Sequence, residues 1–163
     1  MQDTHDELDA DGIPTLYRNA VQEFATHLEL DADALVRGER LNLGGMGFWL
    51  QQYGHLDPTG ITIMVDLGEL PQDPAQQIVV YRQLLENNIT TPAGLSGCYG
   101  VIPDSSVCVL SVRIALDKVE SGGHAVGQFV TALLEGFNLS HQVIVGAVDE
   151  LVKQTADADM QAV

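Results

Sequence analysis

The chain has 163 residues, 45% of them apolar, with mean hydropathy +0.08, which suits one folded domain and excludes a wholly disordered chain. Seven Lys and Arg face 23 Asp and Glu, a formal net charge of −16, and a field of that sign repels nucleic acid and anionic membrane. No apolar run approaches the roughly 18 residues needed to span a bilayer, and Met1 to Asp11 carries acids without a Lys or Arg, the wrong sign for an export signal.

Residues 1–12 read as an acidic, flexible N-terminus, 13–153 as a single domain and 154–163 as a flexible tail. After Ile13-Pro14, Thr15 is placed to cap a helix on which Tyr17, Ala20, Val21, Phe24 and Leu28 share a face. Such a stripe usually packs against a core. Asp31 to Gly45 shows no clear period, and Gly44-Gly45 with Gly47 reads as a bend leading into a strand. That strand, Gly47–Tyr53, carries large side chains on both faces: Phe48, Trp49, Leu50 and Tyr53. Asp57-Pro58-Thr59-Gly60 is a turn signal. Ile61–Leu67 then alternates cleanly, Ile61, Ile63, Val65 and Leu67 against Thr62, Met64 and Asp66, so the two strands are expected to form an antiparallel hairpin.

The second long helix has a clear start: Asp73 as cap, Pro74 at the first helical position and Gln76 completing a box-like pattern, running to about Asn88. Ile78, Tyr81, Leu85 and Asn88 lie near one line, with Val80 and Leu84 beside it. Gly97–Ile102 reads as a strand, Pro103–Ser106 as a turn, and Val107–Leu116 as the most apolar strand. On it Cys108, Leu110, Val112 and Ile114 share one face, while the other includes Arg113, which needs water or a carboxylate. Asp117 and Glu120 suggest a capping box for a last helix to about Lys153, on which Val126, Phe129, Val130, Leu133, Phe137, Ile144, Val148 and Leu151 recur at helical spacing. The expected fold is α+β: an antiparallel twisted sheet with helices on one face, in the order α-β-β(-β)-α-β-β-α.

Chemistry-bearing patterns are sparse. The Gly44-Gly45-Met46-Gly47 stretch is followed by neither Lys-Ser/Thr nor a helix, as a phosphate loop would be. Gly94-Leu95-Ser96-Gly97 lacks the spacing of a nucleophile elbow. His5, His27, His55, His124 and His141 form no HExxH pair, and Cys98 and Cys108 no metal-binding cluster. The two cysteines read as reduced structural thiols, with a bridge across a hairpin left open. Hence no catalytic residue, metal or cofactor is expected, and the chain is read as a non-enzyme. What remains is apolar surface on Trp49, Met64, Val107 and Val109, which either a dimer or the long last helix covers or which forms a groove for a polypeptide partner.

The order of elements, the strand ending Gly68-Glu69-Leu70-Pro71, the helix ending Leu84-Leu85-Glu86-Asn87-Asn88, and the hairpin Gly97–Leu116 closing in Leu116-Asp117 together resemble class I type III secretion chaperones, the Tir chaperone (CesT-like) family, over about residues 15–152. The family usually has three strands between its first two helices, where two are legible here, and the Leu56-Asp57-Pro58-Thr59-Gly60 turn falls after Trp49. The resemblance implies a cytoplasmic bacterial homodimer, tied to virulence, that binds an extended N-terminal segment of a secreted effector by strand addition and pocket filling and keeps it soluble and export-competent. Carried over by position, it implies effector contact at Phe24 and at outward-facing Phe48, Leu50, Ile63 and Val65, with Trp49 and Met64 as alternates in another register. It implies a dimer interface at Tyr81, Leu84, Leu85, Tyr99 and Val101. A second reading is a dimeric small-ligand-binding or regulatory α+β domain with a pocket lined by Trp49, Tyr53 and Tyr99.

Overall fold

Local capping chemistry decides where the helices begin. In a computed structural model of the chain, which describes residues 8–90 and 97–135, α1 (Thr15–Leu28) starts after Pro14, so the boundary residue is Pro14 where Thr15 was expected. Ahead of it, residues 8–14 close into a loop: Asp9 accepts from the Asp11 and Ile13 amides, and Arg18 on α1 pairs with both Asp9 and Asp11. The segment without a legible period holds a short helix, α2 (Ala32–Val36), where Asp31 accepts from the Asp33 and Ala34 amides. The Tyr17 hydroxyl donates to the Leu35 carbonyl at 3.5 Å and joins α1 to α2; burial pushes that phenol up to about 12.

The glycines after α2 make a hairpin. β1 (Leu41–Leu43) turns through Gly44 (φ 57°) and Gly45 (φ 87°) into β2 (Met46–Gln51), with Leu43 opposite Met46. Positive φ at both central residues is the two-residue turn that fits strand twist and that glycine adopts without strain. There are thus three strands before the long helix, the third being β3 (Gly60–Glu69). Leu67 is the extra residue of a bulge near the end of β3, where Asp66 Oδ1 accepts from the Gly68 amide at 2.7 Å. Asp73 caps α3 (Pro74–Thr90) through the Ala75 and Gln76 amides. β4 (Gly97–Val101) and β5 (Val107–Ala115) form the second hairpin, and after a 3-10 turn at Leu116–Lys118 helix α4 occupies residues 122–135. Ser121, rather than Asp117, caps α4 by accepting from the His124 amide at 3.0 Å. The positions expected further along that helix, Phe137, Ile144, Val148 and Leu151, and the 154–163 tail lie outside the described residues, as do residues 1–7.

The sheet is fully antiparallel in the order β1-β2-β3-β5-β4, with the helices on one face. Its inner face supplies Met46, Phe48, Leu50, Ile61, Ile63, Val65, Cys108, Leu110, Val112 and Ile114 to a core completed by Tyr17, Val21 and Phe24 of α1, Val80 and Leu84 of α3, and Val126 and Val130 of α4. Phe24 meets Phe48 edge to face, ring centroids 6.4 Å apart. α4 approaches α1 closely because Gly122 and Gly123 have no side chain: a Cβ on Gly123 would lie 2.7 Å from the Phe24 amide nitrogen.

Candidate interaction surfaces

Strand parity sorts the residues expected to contact a partner. Phe48 pairs with Val65 and Leu50 with Ile63, and all four side chains are buried beneath the helices, as is Phe24. The expectation that Phe48, Leu50, Ile63 and Val65 face outward is therefore corrected: the helices cover the face these four share, with Phe24 of α1 packed on Phe48, and so turn it inward. Trp49 and Met64, opposite one another, are the residues on the outer face.

That outer face holds a recess of about 400 Å³ lined by Trp49, Tyr53, Met64, Cys98, Gly100 and Val109 among others. Tyr53 is largely exposed and Trp49 partly so. Tyr99 is on the other side of β4, packed against the core, so the pocket of Trp49, Tyr53 and Tyr99 does not form as a unit. Ion pairs flank the recess. Arg113 reaches Asp57 through Nε and a terminal nitrogen, both at 2.6 Å, which supplies the carboxylate it required. This contact holds the Asp57 carboxyl below its usual range. Arg40 lies over Gly47 and pairs with Asp66 at 2.7 Å. Arg113 and Arg40 are thus neutralised by neighbours, and the surface between them is mostly apolar, with Gln51 and Ser111 among its polar members.

A second apolar surface runs along α3. Ile78, Tyr81, Leu85 and Ile89 are 68%, 41%, 65% and 84% exposed, at spacings of three, four and four residues that align them on one stripe. Of the positions assigned to a dimer interface, Tyr81 and Leu85 belong to this stripe. Leu84 faces the core, and Tyr99 and Val101 are partly buried against it. Ile78 and Ile89 were not picked out for an interface; their period with Tyr81 and Leu85 was the available signal.

Cys98 and Cys108 are free thiols, one exposed and one buried. Cys98 pairs with Ser111 and Cys108 with Val101, so the bridge left open is ruled out by register. Burial raises the Cys108 thiol. His27 and His124 border a groove between α1 and α4, where Glu23 accepts from the Gly123 amide at 3.0 Å, a contact that lowers the Glu23 carboxyl. Among the described residues no cluster of His, Cys, Asp and Glu could hold a metal ion, and no helix is long and apolar enough to cross a membrane.

These features define an α+β protein with a five-stranded antiparallel sheet, described helices on one face, two apolar surfaces and an acidic net charge. Among solved structures it is similar to a chain of the ExoT–SpcS complex from Pseudomonas aeruginosa, with a TM-score of 0.51 and 18% identity over 76% of this chain and 98% of that one. No protein-family model matches the chain, and no curated protein matches it in sequence.

Proposed function

We propose that the chain is a type III secretion chaperone: a non-enzymatic, cofactor-free homodimer of the bacterial cytoplasm that binds an extended N-terminal segment of a secreted effector and keeps it soluble and export-competent. The observation that carries this reading is the recess on the outer face of the sheet, where partly exposed Trp49 and exposed Tyr53 stand over a floor that includes buried Met64 and Val109, while the described helices pack on the opposite side. Apolar surface left open on a strongly acidic chain suits a soluble carrier of an apolar polypeptide. The fold shared with a chain of the ExoT–SpcS complex supports the same reading, as does the sequence resemblance. The α3 stripe provides the surface for a second copy.

The test is co-purification from the native host, with the captured polypeptide identified by mass spectrometry. Trp49→Glu with Tyr53→Glu, which changes the exposed rim of the recess, should abolish capture of an effector while the fold and assembly state persist. Phe48→Glu with Leu50→Glu is uninformative about binding, because it places charge in the core and unfolds the chain. Undiminished capture by a folded Trp49→Glu, Tyr53→Glu variant would remove the outer face from the site.

A further inference from the structure

The sheet has two edges, β1 and β4, and an edge strand ordinarily offers a row of unpaired amide and carbonyl groups to any strand that approaches. At β4 the central pair is already taken. The Tyr99 amide donates to Asn88 Oδ1 at 2.6 Å, and Asn88 Nδ2 donates to the Tyr99 carbonyl at 2.9 Å. In an antiparallel ladder, residues alternate between those that exchange both bonds with the neighbouring strand and those that turn both groups away. Tyr99, opposite Leu110, is of the second kind. Ile102 keeps this phase, its amide bonding the Val107 carbonyl across the hairpin. The Asn88 carboxamide therefore sits where the peptide unit of a sixth strand would sit, and it is the one side chain besides Gln that offers a donor and an acceptor in that geometry. Asn88 projects from near the C-terminal end of α3, whose Val80 and Leu84 anchor it to the core. Among the described residues, no side chain is seen bonded in this way to the outward backbone of Asn42 at the middle of β1.

We propose that Asn88 seals the β4 edge: its carboxamide substitutes for a strand at Tyr99, so that neither an extended partner segment nor a second copy adds there. This rests on and deepens the polypeptide-binding reading by taking one edge of the sheet out of play for strand addition. Its test uses the chain alone, without any effector, so the two readings fail separately.

The experiment compares full-length wild type with Asn88→Ala and Asn88→Asp by hydrogen exchange at the Tyr99 amide and by light scattering across a range of protein concentrations. Asp keeps the acceptor for the Tyr99 amide but loses the donor for its carbonyl. With the seal removed in Asn88→Ala, Tyr99 exchange at the lowest protein concentration, where edges are unpaired, should accelerate roughly tenfold or more. Average mass in both variants should climb with concentration above the wild-type value, as β4 edges pair. Gln83→Ala, which breaks the neighbouring Gln83–Asn87 contact on α3, should leave both readouts at wild type. Folded variants with wild-type Tyr99 exchange and wild-type mass would overturn the proposal. So would a Gln83→Ala response as large as that of Asn88→Ala, which would mean a loosened helix rather than an opened edge. If Asn88→Ala does not fold, the mass of Asn88→Asp decides: no rise above wild type overturns the proposal.

Discussion

Gly60 is glycine because of a carboxylate. A Cβ there would lie 1.9 Å from Asp57 Oδ2, and that carboxylate cannot swing aside while both its oxygens hold Arg113. Gly60→Ala should therefore act chiefly by breaking the Asp57–Arg113 pair. The pair is partly exposed, so its loss should cost about 1 kcal/mol. In a double-mutant cycle, Gly60→Ala should cost clearly less on an Asp57→Ala background than on wild type, read from urea unfolding midpoints. Simple additivity would assign the glycine a backbone role instead. The same pair predicts a pH dependence. Because Arg113 lowers the folded Asp57 carboxyl, the stabilisation is complete above the unfolded carboxyl's value of about 3.9 and is lost as pH falls through the lower folded value. The stability gap between wild type and Asp57→Asn should be level from about pH 7 to about pH 5 and close in stronger acid. A gap that ran unchanged into acid would argue against the ion pair. Sequence showed that Arg113 needed a partner on a strand face. It could not show which carboxylate, since Asp57 lies 56 residues away and only the β3–β5 register brings it near.

At the scale of elements, the seam between α1 and α4 depends on two glycines. Gly123→Ala would press a methyl group onto the Phe24 backbone, which cannot yield as a side-chain tip would, so it should destabilise by about 3 kcal/mol in chemical denaturation. A loss below about 0.5 kcal/mol would show that α4 can shift along α1. Helix α3 offers a contrast between adjacent leucines: Leu84→Ala should cost about 3 kcal/mol through a core cavity, and Leu85→Ala little in a single chain. The reversed ranking would mean that α3 is rotated about its axis. Most of these elements were legible, since the strands and α3 announce themselves by alternation and by the Asp73-Pro74 start. The β1–β2 hairpin was not, because each strand is short and Gly44-Gly45 was weighed as a bend rather than as the two-residue turn it also encodes. Phe48 and Leu50 share one face with Ile63 and Val65, as expected, but that face is the inner one. Alternation says which residues share a face, but only packing against α1 says which face is inside.

For the molecule as a whole, the two apolar surfaces lie on different elements and should be separable by mutation. Leu85→Glu places charge on the α3 stripe and should lower the assembly state without touching the outer recess, whereas Trp49→Glu should do the reverse. The recess carries its own reporter, because Trp49 is the chain's only tryptophan and its indole is partly exposed on the outer sheet face. In the free protein its emission should be that of a ring partly in contact with water. An apolar segment laid across Met64 and Val109 would exclude water from the indole, so titration with the captured effector's N-terminal peptide should shift the emission to the blue and saturate at a fixed stoichiometry. Leu85→Glu should retain the shift if each chain carries a complete recess, and lose it if the site is assembled across two copies. A peptide that binds by calorimetry yet leaves Trp49 emission unchanged in wild type would place the partner elsewhere, with the groove between α1 and α4 the next surface to test.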